Sequence, residues 1–146
     1  MILGHLALVA AALFASAAFY VDFAEQPARL TLDDRAALLQ WQRSYARAAL
    51  MQASLAMVGF FLGLAAWWWQ GRDVAWLVGA VAILAPWPWT LLVIKPVNDR
   101  LNTTMPEQAG AESRVLIERW GRLHAGRTAL GVVATAIFFW AIVAAR

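Results

Sequence analysis

"ALMQASLAMVGFFLGLAAWWWQGRDVAWLVGAVAILAPWPWTLLVI", residues 49–94, holds two apolar runs parted only by the short turn "QGRDV" at 70–74. Residues 48–71 and 74–94 contain no Asp, Glu, Lys or Arg. A helix needs roughly 20 apolar residues to cross the hydrocarbon of a bilayer, and Gly71 is a natural helix stop between the two runs. The stretch reads as a tight antiparallel hairpin of membrane-spanning helices. Working outward, residues 2–21 and 128–145 are equally free of charge. The whole chain is 62% hydrophobic and 14% charged, where a soluble domain is nearer half apolar and a quarter charged. The expectation is an all-α, integral membrane four-helix bundle, antiparallel, forming a single domain over 1–146. Its spans fall at about 2–21, 48–70, 74–95 and 124–145, with helical extensions at about 33–47 and 112–123.

Charge sets the orientation. Ten of the 12 basic residues lie between spans 1 and 2 or between spans 3 and 4, leaving only Arg72 and Arg146 on the other side. Basic residues stay on the cytoplasmic side, so both longer connections are expected in the cytoplasm and both termini on the outer side. A bacterial inner membrane fits that pattern. The net charge of +3 is thereby a matter of topology, and no nucleic-acid partner is implied. Span 1 carries Ala15-Ser16-Ala17, a small-residue run like a signal-peptide cleavage site, but has no basic region before it and is long. It is read as a helix of the bundle. With no cysteine, disulfides, thiolate metal sites and a Cys nucleophile are excluded.

Span 1 is followed by "VDFAEQPARLTLDD", residues 21–34, read as a polar connection with a capping-box-like helix start at Thr31 and Asp34. On the next helix Trp41, Tyr45 and Ala48 share a face, with Arg43 and Arg47 nearly opposite. Gly59 and Gly63 permit close helix approach. Trp67, Trp68, Trp69 and Trp76 crowd the outer turn and read as an interfacial aromatic belt. In span 3, Pro86 and Pro88 cannot donate to the carbonyls of Ala82 and Leu84, which predicts a kink opening the cytoplasmic end of the bundle. On the last helix, expected to begin near Glu112, Ile117, Trp120, His124, Arg127, Gly131 and Ala134 form one stripe. Gly121, Thr128 and Thr135 form a small-residue seam beside it.

This topology brings Trp41 and Tyr45, Lys95 and Asn98, and His124 and Arg127 to one membrane depth. Ionisable groups that face the inside of a bundle at the membrane boundary are a functional-site hypothesis by default. No metal site is expected: His5 and His124 sit at opposite membrane faces, about 20 helical residues or roughly 30 Å apart. No carboxylate is expected inside the membrane, which argues against an ion-coupled transporter.

The motifs "EQPARL", Trp41-x3-Tyr45-x-Arg47, "PWTLLVIKPVN" ending at Asn98 and Trp120-x3-His124-x2-Arg127-Thr128 resemble the DUF1772 family. These are small four-helix membrane proteins that include the fungal anthrone oxygenases. The resemblance implies oxidation of an anthrone to an anthraquinone by O2 with no metal or flavin cofactor. Such chemistry needs a base, a donor for the developing oxyanion and an apolar aromatic pocket. On these positions His124 is the candidate base, and Arg127 and Lys95 stabilise the enolate oxygen. Asn98 and Tyr45 orient the substrate. Trp41, Trp87, Trp89 and Trp120, with Thr90, line the pocket for a flat aromatic or quinone-like ligand. A different reading is a non-catalytic accessory or lipid- or quinone-binding subunit, packed in a homo-oligomer or a larger membrane complex.

Overall fold

The computed structural model of the chain describes residues 2–144. Four helices long and apolar enough to span a membrane run Ile2–Leu30 (α1), Asp34–Trp69 (α2), Val74–Thr103 (α3) and Ala111–Ala144 (α4). Among the described residues there is no strand. Ala145 and Arg146, counted above in the last span and on the outer side, lie outside the described residues.

Short polar signals start and stop these helices. Asp33 caps α2 by accepting from the Ala36 N–H at 2.9 Å, and Asp73 caps α3 by accepting from Ala75 at 2.9 Å. Each satisfies a donor that the first helical turn leaves unpaired. Thr31 is not the cap expected from sequence. Its hydroxyl turns back to the Ala28 carbonyl. Gly71, at φ 84°, ends α2 in the left-handed region where a glycine carries no Cβ penalty.

Each helix packs against its sequence neighbours, and α1 closes the ring on α4. The apolar core forms two clusters. One gathers Phe14, Ala56, Trp76, Ile83, Ala134 and Phe138; the other gathers Val21, Leu38, Trp41, Ile94, Ile117 and Trp120. On α2 and α4 the buried polar residues Gln52, His124 and Arg127 fall between them. Large apolar side chains also cover the outside, among them Leu50, Phe61, Leu92, Phe139 and Trp140. That surface suits lipid, since a water-soluble monomer rarely shows so extensive an apolar patch.

Close approach is built in where glycines face rings. A Cβ on Gly63 would meet Phe138 at 2.9 Å and Ala80 at 3.0 Å. The Gly59–Gly63 pair therefore packs within the chain, against α3 and α4. Trp76 departs from the expected aromatic belt. It is 2% exposed, because its ring lies directly on Gly4.

Two helices deviate from α geometry, each just before a proline. α1 opens into a π turn over Val21–Glu25 and resumes at Gln26-Pro27. α3 breaks at Ala85, makes one turn over Pro86–Trp89, widens into a π turn over Thr90–Ile94 and resumes at Lys95-Pro96. A proline ring clashes with the carbonyl four residues back, and a wider turn relieves that clash. The expected irregularity in span 3 is present, and the Ala82 carbonyl freed by Pro86 accepts instead from Ala85 at 3.2 Å. The polar stretch after span 1, expected to connect helices, instead continues α1 to Leu30. Asp22, Glu25, Gln26 and Arg29 thereby share one helical face and enter the bundle.

Candidate functional site

Trp120, His124 and Arg127 follow one another at helical spacing along the buried face of α4, as their stripe predicts. His124 is 2% exposed, and its ring leans on Trp120 with centroids 4.8 Å apart. Its Nδ1 lies 2.7 Å from Oδ1 of Asp22 on α1. The Thr128 hydroxyl, one turn beyond, donates to the other oxygen of the same carboxylate. A carboxylate, Asp22, thus meets the buried imidazole from α1, a partner for His124 that the sequence reading did not include. Asp22 is the second residue of the π turn in α1.

Below that pair, Arg29 is 2% exposed and completely engaged. It donates to Gln26 at 2.5 Å, to Gln40, to Glu25 and to Ser44 at 3.2 Å. Its guanidinium also stands 5.5 Å from the Trp120 ring centroid. Gln26 in turn donates to the Ile117 carbonyl at 2.9 Å. A buried charge is tolerated only when paired and hydrogen-bonded, and here the pairing links α1, α2 and α4 beneath His124. Neither Arg29 nor its partners were anticipated from the sequence. The signal that could have found them is the spacing 22, 25, 26, 29, which is helical rather than loop-like.

From the other side, Tyr45 stacks on Trp41 at 4.7 Å, and Trp41 meets Trp120 edge-on. Asn98, 2% exposed on α3, donates to the Tyr45 hydroxyl at 3.0 Å. Lys95 is not brought into this group. Its side chain is 53% exposed and pairs with Asp99 at 2.6 Å, because the buried face of this part of α3 runs through Ile94, Val97, Asn98 and Leu101 and Lys95 stands beside it.

Two cavities meet at Arg127. A polar chamber of about 20 Å³ is lined by Glu25, Arg29, Tyr45, Gln52, His124 and Arg127, among others. That is room for about one water molecule. Beside it an apolar cavity of about 130 Å³ is lined by Phe14, Ala53, Pro86, Trp87, Thr90 and Arg127, among others. Its rim residues Trp87 and Leu91 are exposed on the lipid-facing surface. The four tryptophans expected to sandwich a ligand are thus divided. Trp41 and Trp120 line the polar chamber, and Trp87 lines the apolar cavity. Trp89 lies flat on Gly126 and donates to the Leu123 carbonyl at 3.0 Å. Among the described residues, several polar atoms around the two cavities have no protein partner: Trp41 Nε1, Trp120 Nε1, Gln52 Oε1, Thr90 Oγ1 and Arg127 Nε. Buried polar groups normally find partners, so these unpaired atoms set this region apart from the rest of the core. Among the described residues, no three His, Cys, Asp or Glu side chains are grouped to hold a metal ion.

The fold and the site together define a membrane-compatible four-helix bundle with a buried imidazole–carboxylate pair beside an apolar cavity. The family model described as anthrone oxygenase matches residues 41–137, and the chain belongs to that family, also called DUF1772. The matched segment begins at Trp41 and ends within α4, so Asp22 and Arg29 lie outside it. No curated protein and no solved structure matches the chain.

Proposed function

We propose that the protein is a cofactor-independent oxygenase of flat, lipophilic carbon acids of the anthrone type. It would work in the bacterial inner membrane with its basic end toward the cytoplasm. The observation that carries this reading is the shared wall at Arg127 between an apolar cavity facing lipid and a chamber containing His124. The apolar cavity, about 130 Å³, is close to the ~150 Å³ of a cavity that takes benzene. One ring of a tricyclic substrate fits inside, while the rest lies against Trp87 and Leu91 in the lateral opening.

An anthrone C–H is acidic because the carbanion left behind delocalises into the carbonyl as an enolate. In this reading His124, which lines the adjoining chamber, takes that proton through Nε2, since Nδ1 faces Asp22. Arg127 and Thr90 supply donors for the enolate oxygen. The electron-rich carbon then reacts with O2. One oxygen atom becomes the new carbonyl, the other leaves as water, and the carbon acid gives up two hydrogens to that water.

The test uses purified protein in lipid nanodiscs with an anthrone. Under nitrogen the anthrone should bind without being consumed, and admission of air should then give anthraquinone faster than the spontaneous reaction. Binding without acceleration would move the function to a carrier or accessory subunit. Absence of both would contradict any role for this cavity in holding the substrate.

A further inference from the structure

We infer that Asp22 is the positioning residue of the site: it fixes His124 in the tautomer that leaves Nε2 bare to accept a proton. This inference rests on the oxygenase reading for its chemistry, but its geometry stands independently. Three observations carry it. His124 Nδ1 and Asp22 Oδ1 are 2.7 Å apart across 102 positions of chain. The Thr128 hydroxyl donates to the second carboxylate oxygen, so both oxygens are held by one face of α4. Asp22 lies within the π turn that α1 makes over Val21–Glu25, and such turns are often found at functional sites.

The chemistry follows from the donor inventory. A carboxylate accepts and does not donate, so the hydrogen between the two residues belongs to Nδ1. The lone pair of a neutral imidazole is then on Nε2. When Nε2 takes the proton, the C–H electron pair passes into the enolate, and the resulting imidazolium is stabilised by the adjacent carboxylate. Asp22 itself does not touch the substrate. Arg29 and Glu25, the charged pair nearest along α1, compensate each other, and Asp22 interacts with the buried Arg127 as well as with His124. The family match starts at Trp41, so this assignment comes from the structure of α1.

The first readout is spectroscopic and needs no substrate. With His5→Gln as background, histidine labelled with ¹⁵N reports His124 alone, at about pH 9, where imidazole is neutral. The expected result is protonated Nδ1 and bare Nε2. Asp22→Asn should reverse this. Its carboxamide oxygen is taken by Thr128, its NH2 turns toward Nδ1, and the hydrogen moves to Nε2. The second readout is kinetic. Asp22→Asn should lower kcat by at least about 10²-fold while KM moves less than about threefold, and Asp22→Glu should restore part of the loss. A wild-type imidazole with the hydrogen on Nε2 would overturn the inference. So would an Asp22→Asn protein with unchanged tautomer, or with unchanged kcat. If wild type shows the expected tautomer but no oxygenase activity, the oxygenase reading fails and the positioning role stands. Should Asp22→Asn fail to fold, Thr128→Val, which removes only one support of the carboxylate, provides the kinetic comparison, with an unchanged tautomer and a smaller expected fall in kcat; an unchanged kcat there would overturn the inference.

Discussion

His124 on the last helix and Asp22 on the first stand 2.7 Å apart, and this contact closes the helical ring at the level of the two cavities. Around it, Arg29 ties three helices together from below, and Asn98 holds Tyr45 from α3. The site is therefore assembled from all four helices, although its imidazole and one wall come from α4 alone.

Filling the apolar cavity should separate binding from chemistry. Ala53 lines that cavity but not the polar chamber. Ala53→Phe is expected to raise KM for an anthrone about tenfold or more while leaving kcat within about threefold. Steady-state kinetics in nanodiscs checks this, and a collapse of kcat at unchanged KM would place the substrate elsewhere.

Lys95 and Arg29 should behave oppositely, although both are basic residues near the same end. Lys95 forms an exposed pair with Asp99, and such pairs contribute about 0–1 kcal/mol. Lys95→Met is therefore expected to leave turnover within about twofold. Removing one partner of a buried ion pair costs about 3–5 kcal/mol, so Arg29→Met, which strands Glu25, should lower the thermal unfolding midpoint markedly. Parallel melting and activity curves decide both expectations.

The two glycines of α2 should differ in cost. An added methyl at Gly63 would meet Phe138 at 2.9 Å and Ala80 at 3.0 Å, whereas at Gly59 the nearest atom is an Ile83 carbon at 3.3 Å. Gly63→Ala should destabilise by about 1–3 kcal/mol through overpacking. Gly59→Ala should cost less, under about 1 kcal/mol, since at 3.3 Å the Ile83 carbon need move by only a few tenths of an ångström. Denaturant titration in detergent measures the difference, and a reversed order would contradict the helix packing.

How much of this was legible in the sequence depends on where the polar residues sit. The spans were readable because lipid permits long charge-free runs, and the stripe Trp120–His124–Arg127 was readable because its helix continues without interruption. The end of α1 was not. Residues 21–30 are polar because they face partners inside the bundle, which looks like a loop when only hydropathy is followed. Lys95 was placed in the site by its depth at the end of span 3. Depth does not fix which side of the helix a residue takes: Ile94, Val97, Asn98 and Leu101 are buried there, while Lys95 is exposed. Trp76 was read as interfacial because indoles favour that level, but the missing side chain of Gly4, on a distant helix, opens a slot that buries it.

The most direct measurement is O2 uptake by the purified protein on an anthrone, wild type against His124→Ala. The expected result is uptake above the spontaneous rate in wild type, one O2 per anthrone consumed, falling by at least about 10²-fold toward background in the variant. Equal uptake by the two proteins, with the variant folded, would contradict the assignment of His124 as base and of the chain as an oxygenase.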